Sequence, residues 1–188
     1  MTAPEIRQNL DLSLLEILSD EALDAADDVG ELDGNQHYSD LSIATWDDVR
    51  FALEREASLI EEIARALDPA AAEQTALEAR DDDDEREALW HLDIGVAAAV
   101  VALNALGAHT VLSCNGGAFG GSHLRDFPSI RFCPRRVRVE VLLELARDSD
   151  VGLDVEEHRA LLYGRSIEDM QRFAALALER FGRDQIQE

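Results

Sequence analysis

Residues 88–107, ALWHLDIGVAAAVVALNALG, present apolar side chains on almost every face of a helix. A helix at a protein surface keeps one polar face, so a helix without one has to be enclosed on all sides. The apolar run from Ile94 to Leu103 contains a glycine and falls well short of the ~20 residues needed to cross a bilayer. The segment therefore predicts the middle of a globular fold, and the rest of the chain has to supply the layers around it. Gly107 is a natural terminator for such a helix.

The residues C-terminal to Gly107 supply one of those layers. AHTVLSC and PSIRFC read as strands on either side of a glycine-rich loop, and Pro134 closes the second. Val137 to Ala146 reads as a helix with Val137, Val141, Leu142 and Leu145 inward. VGLDVEEHR and ALLYGRS form a second strand pair, and Ile167 to Phe181 a last helix through Met170, Phe173, Ala174 and Leu178. Residues 88–188 thus run α-β-β-α-β-β-α, with the β-β-α unit occurring twice. This order predicts an α+β domain of two layers: a four-stranded, mostly antiparallel sheet with helices on one face.

Residues 1–87 read as an acidic, helical N-terminal segment. Leu14, Leu15, Leu18, Ala22 and Leu23 repeat at helical period over Leu12 to Ala26, with Ser13 and Glu16 at capping-box spacing. Residues 27–42 are polar and read as a loop. A second helix starts at Thr45, boxed with Asp48, and carries the stripe Val49, Leu53, Ala57, Ile60, Ile63 or Ala64, and Leu67. Asp68-Pro69 stops it and opens a short alanine-rich helix. RDDDDERE, residues 80–87, reads as a solvated acidic run.

Charge excludes several function classes. All 17 basic residues are arginine, against 40 acids, for a net charge of −23. Such a surface repels nucleic acid and anionic membranes, so neither is an expected partner. With no basic n-region before an apolar h-region, and only two cysteines, the expected location is the cytoplasm. The distribution is uneven. Residues 1–99 carry −21 and residues 140–188 carry −6, whereas residues 100–139 carry +4 from Arg125, Arg131, Arg135, Arg136 and Arg138 against Asp126.

That basic island overlaps HTVLSCNGGAFGGSHLRDFPSIRF, residues 109–132, the candidate functional stretch. Gly116, Gly117, Gly120 and Gly121 flank Ala118-Phe119 in a loop leaving a strand, where glycine lets successive amides turn into one anion-holding concavity. With Ser113, Asn115, Arg125, Arg131 and Arg135 they form the candidate binding set for an anionic small molecule. The plainer alternative is a hairpin loop whose arginines pair with the surplus acids. Neither a P-loop nor a dinucleotide-binding fingerprint is present. Cys114, at the strand end, is the candidate nucleophile, and His123 its candidate base. A metal set would draw on Cys114, His123 and Cys133, with His109 or Asp126, but no closely spaced ligand pair supports it and no metal or other cofactor is assigned. Asp93, inside the apolar segment, reads as a cap at a break before Gly95 or as a polar group facing the site. A second functional class stays open, an inhibitor or immunity-type interaction protein whose acidic half, including Asp81 to Asp84, docks on a basic protein partner.

Ser113, Cys114, Gly116, Gly117, His123, Pro128 and Phe132 fit a pattern of helix, short strand ending S-C-x-G-[GH], loop with histidine, then proline and strand. In this the last hundred residues resemble a family of uncharacterised bacterial and phage proteins, a resemblance that implies no particular activity. The helix-strand-S-C-x-G-R-strand segment of the wybutosine-synthesis methyltransferases is similar locally, with Gly117 standing where that family has arginine. That likeness implies a tRNA substrate, which the net charge of −23 opposes.

Overall fold

The computed structural model describes residues 3–16, 18–29, 40–80, 84–120, 123–135 and 137–183. Among them are helices α1 (Asp20–Val29), α2 (Trp46–Arg65), α3 (Pro69–Ala79), α4 (Ala97–Ala105), α5 (Val139–Ser149) and α6 (Ile167–Phe181), and strands β1 (His109–Cys114), β2 (Ser129–Cys133), β3 (Gly152–Glu156) and β4 (Arg159–Tyr163). The strands form one antiparallel sheet in the order β1-β2-β4-β3. Each β-β-α unit is a hairpin followed by a helix, and the two units meet through their second strands, β2 and β4. The expected α+β class and repeated unit are therefore what the chain adopts. No helix of the described residues is long and apolar enough to cross a membrane.

α4 sits at the centre, and every residue from Ala97 to Asn104 is buried. Its alanines let α2 and α6 approach closely, and α2, α4 and α6 join Ile130, Phe132, Leu153, Ala160 and Leu162 of the sheet in a single core. The acidic N-terminal part and the β-β-α repeat therefore share that core. On the other face of the sheet Leu23 of α1 covers Val111 and Cys133, with Leu18 beside them. Residues 7–9 extend the β3 edge, where the Leu153 N–H donates to the Arg7 carbonyl at 2.7 Å and the Asn9 N–H to the Leu153 carbonyl at 2.7 Å.

Several expectations need correction. The helix over Leu12 to Ala26 is replaced by a 3₁₀ turn at Leu12–Leu14 followed by α1. Asp11 takes both the amide and the hydroxyl proton of Ser13, at 2.9 and 2.7 Å, while the Glu16 N–H donates to the His158 carbonyl at 2.9 Å and the Glu16 carboxylate pairs with Arg159, so the expected Ser13/Glu16 box does not form. Of the expected loop, residues 27–29 end α1, and residues 30–39 lie outside the described residues. The Thr45/Asp48 capping box and the Asp68-Pro69 start both form. The buried face of α2 is rotated from the expected stripe. It runs Trp46, Val49, Ala52, Glu56, Leu59 and Ile63, while Ala57 and Leu67 are exposed.

The largest correction concerns residues 88–107. Only Ala97–Ala105 is α-helical, and it is preceded by a tight turn at Leu89–His91 and irregular backbone, mostly buried but with His91 exposed and Leu92 and Asp93 half-buried. Leu89, Trp90 and His91 have φ of 52°, 51° and 57°. Three successive left-handed residues are costly for L-amino acids, at about 1–2 kcal/mol each. Arg80, expected in a solvated run, is buried and holds this turn at both ends: its Nη1 donates to the Ala88 carbonyl at 2.8 Å and to the Leu92 carbonyl at 3.0 Å.

Candidate functional site

α4 begins without a side-chain cap of its own. Its first amides are met by Glu56, fully buried on α2, which accepts from the N–H groups of Gly95 at 2.7 Å, Ala97 at 2.8 Å and Ala98 at 3.3 Å. Burial pushes the Glu56 carboxyl up to about 7 against the pull of those donors. Gly95 is obligatory here, with φ of 104° and Ile167 Cγ2 only 2.5 Å from where a Cβ would stand. Arg80 on one side and Glu56 on the other therefore fix residues 92–98, and Asp93 lies between them.

The end of β1 is brought against this fixed segment. The Asn115 N–H donates to Asp93 Oδ2 at 3.2 Å, and its buried amide side chain donates to Glu73 Oε1 at 2.6 Å and to the Ile94 carbonyl at 3.0 Å. Asp93 thus faces the site and does not cap the break before Gly95. Asn115 Oδ1 accepts from the Gly117 N–H at 3.0 Å, and the Gly116 N–H reaches Cys114 Sγ at 3.4 Å. Gly116 and Gly117 both have φ of 70°. Their amides are spent on these two internal acceptors, so the expected anion-holding concavity of free amides does not form from them. A Cβ at Gly116 would lie 2.2 Å from the Phe127 carbonyl carbon, so only glycine lets the loop pack this tightly against the start of β2.

Cys114 and His123 do come together, with Sγ 4.0 Å from Nδ1. Asp93 joins them, and one ligand atom from each of Asp93, Cys114 and His123 lies within 4.8 Å of the other two. Cys114 is buried, while Asp93 and His123 are half-buried. Glu73 stands beside the group. Burial pushes its carboxyl up, the Asn115 hydrogen bond and the charge of His123 pull it down, and Asp93 pushes it up again. The other expected ligands are elsewhere. His109 pairs with Cys133 in the β1–β2 register, at the opposite end from Cys114 and Ser129.

The arginines of the basic island are not gathered at the loop. Arg125 pairs with Glu156, Arg131 with Glu157, and Arg135 with Asp24 at 2.8 Å. Among the described residues, surplus acids thus pair with these three arginines, the kind of pairing the plainer of the two expectations describes. Ser113 is half-buried opposite Ile130. Gly120 closes a turn by donating to the Gly117 carbonyl at 2.9 Å. Gly121, Arg136 and Asp81 to Asp83 lie outside the described residues.

On its other side the loop lines a cavity of about 560 Å³. Asn115 to Phe119 and Pro128 form one wall, Ile60, Ala64 and Pro69 another, and Arg165 to Glu168 a third. The third wall is the start of α6, whose N-cap Ser166 makes no side-chain capping hydrogen bond. Asp126, exposed, completes the lining. Glu56, Glu73, Arg80 and the start of α6 were not singled out in the sequence. Glu56 alone left a signal, an acid on the i, i+3, i+4 stripe through Val49, Ala52, Leu59 and Ile63.

The fold and site define an α+β protein with a mixed thiol, imidazole and carboxylate cluster behind a loop that walls a cavity. Compared with known proteins, the chain matches no family model, no curated protein and no solved structure.

Proposed function

We propose that the chain binds a small molecule with an apolar body and an anionic group, in the cavity between the Asn115–Phe119 loop and the start of α6. The observation that carries the reading is the composition of that cavity. Ile60, Ala64, Pro69, Phe119, Pro128 and Ile167 suit an apolar body, while Arg165 and the side-chain-uncapped start of α6 suit an anion at the Arg165 side of the cavity, away from the charge of Asp126 and Glu168 that also line it. Arg165 can engage a ligand at little cost, because its partner Asp150, 2.7 Å away, is well exposed and such pairs are weak. This reading replaces Arg125, Arg131 and Arg135 as anion partners with Arg165. It takes the protein as cytoplasmic, on the support of two free cysteines at opposite ends of one strand pair.

A thermal-shift series with inorganic phosphate, phosphosugars, nucleotides and S-adenosylmethionine tests it. A fitting ligand at a hundredfold excess over its Kd stabilises the fold by about 2.7 kcal/mol. Arg165→Ala is expected to reduce the shift and Arg131→Gln, which does not line the cavity and pairs with Glu157, to leave it unchanged. No shift with any of these compounds, or an equal shift in Arg165→Ala, would overturn the reading.

A further inference from the structure

We propose that Asp93, Cys114 and His123 form a binding site for a single Zn²⁺-class transition-metal ion, with a fourth position open to water or substrate. The site stands apart from the proposed ligand cavity, since none of the three residues lines that cavity.

The arrangement of the three side chains decides between two uses. In a nucleophile–base–carboxylate relay, the histidine uses its two ring nitrogens on opposite sides, which holds the thiol and the carboxylate well apart. Here the ligand atoms of all three residues lie within 4.8 Å of one another. Such mutual proximity is what a shared centre requires. Tetrahedral zinc, with a metal–sulfur distance of about 2.3 Å and metal–nitrogen and metal–oxygen distances of about 2.0–2.2 Å, places its ligand atoms roughly 3.5 Å from one another. The Cys114–His123 separation of 4.0 Å has to shorten only slightly to meet that geometry.

The residue types agree. One thiolate with one imidazole selects a borderline-soft ion over Mg²⁺ or Ca²⁺, and a third protein ligand of carboxylate type leaves one tetrahedral position free. The supporting contacts agree as well. The Gly116 N–H points at Cys114 Sγ at 3.4 Å, where it stabilises a thiolate, and the Asn115 N–H fixes Asp93 through Oδ2 at 3.2 Å. Asp93 itself follows a turn pinned by Arg80, so two of the three ligands sit on backbone that does not have to be ordered by the metal. His123 and Asp93 are half-buried, which provides the entry side, while Cys114 closes the back. On binding, the Cys114 thiol gives its proton to solvent and its sulfur lone pair to the ion, with no change in oxidation state.

Titration of the full-length metal-free protein with Co²⁺ tests the site. About one equivalent is expected to bind, with the visible bands of a tetrahedral ion and a thiolate-to-cobalt charge-transfer band, and added Zn²⁺ is expected to bleach both. Cys114→Ala should abolish the charge-transfer band. His123→Ala and Asp93→Asn should weaken binding by at least about tenfold, the least that losing even a supporting partner costs. Cys133→Ala should leave both spectrum and affinity unchanged. Absence of a charge-transfer band in the wild type, its persistence in Cys114→Ala or its loss in Cys133→Ala would overturn the proposal. If Cys114→Ala does not fold, judged by circular dichroism, His123→Ala decides, because its side chain sits in a half-buried loop and unchanged affinity there is equally fatal.

Discussion

The two ends of the β1–β2 strand pair carry the same side-chain types and have opposite character. At one end Cys114 faces His123, and at the other His109 is paired with Cys133. His109 and Cys133 are both buried, and Cys133 packs with Val111 and Leu23 under α1. At the Cys114 end the neighbours are instead Asp93, Asn115, Glu73 and a loop with an accessible histidine. A cysteine and a histidine do not by themselves make a site. What distinguishes the Cys114 end is an acid, Asp93, held by the Asn115 N–H with its ligand atom within 4.8 Å of both the thiol and the imidazole, a grouping of three ligand types that among the described residues occurs at this end alone.

The frame is the first place to break the comparison. Glu56→Ala leaves the N–H groups of Gly95, Ala97 and Ala98 without their acceptor in the core. The expected loss is about 3 kcal/mol or more in urea unfolding, together with weaker Co²⁺ binding as Asp93 shifts. The pH dependence sharpens the same point. The Glu56 carboxyl titrates at about 7 in the fold against 4.5 when unfolded, so the folded state holds its proton more tightly. That contribution to stability is complete below about pH 4.5 and is lost as pH rises through about 7, an effect on the order of 2 kcal/mol between pH 5 and 8 that Glu56→Gln should remove.

Leu23→Ala attacks the other end. Truncating this buried leucine is expected to cost about 2 kcal/mol. Co²⁺ binding should not change, since Leu23 packs around Val111 and Cys133, away from Cys114. If the metal spectrum follows the loss of Leu23, the two ends are not independent.

Asn115→Ala separates frame from ligand. It strands the Ile94 carbonyl and the Gly117 N–H and releases Glu73, for an expected cost of about 2 kcal/mol. Metal affinity should drop by about tenfold while the charge-transfer band stays, because the ligand set is intact. The smallest effect is expected from Cys133→Ala, about 1 kcal/mol of lost packing with unchanged Co²⁺ affinity.

Much of this architecture was legible in the chain. Periodicity gave the repeated β-β-α unit, and Thr45/Asp48 and Asp68-Pro69 marked two helix starts because capping is a local, stereochemical matter. The strand ending at Cys114 and the loop histidine marked two residues that folding does bring together. What was hidden is non-local. The left-handed turn at Leu89–His91 is stabilised by Arg80, whose burial no acidic neighbourhood would suggest. The start of α4 is set by Glu56, far upstream on another helix, so an apolar run that looked like continuous helix begins late. The basic island was real as a count, but Asp24, Glu156 and Glu157 arrive from other elements to pair with three of its arginines, which no local reading of the chain could show. Asp93 is decided the same way, by an amide that folding brings to it from the end of β1.

X-ray absorption at the zinc edge of the protein loaded with one equivalent of Zn²⁺ tests the difference between the two ends most directly. One sulfur neighbour at about 2.3 Å with nitrogen and oxygen neighbours at about 2.0–2.1 Å is the predicted shell, unchanged in Cys133→Ala. A shell without sulfur, or one with two sulfurs that loses one in Cys133→Ala, would contradict it.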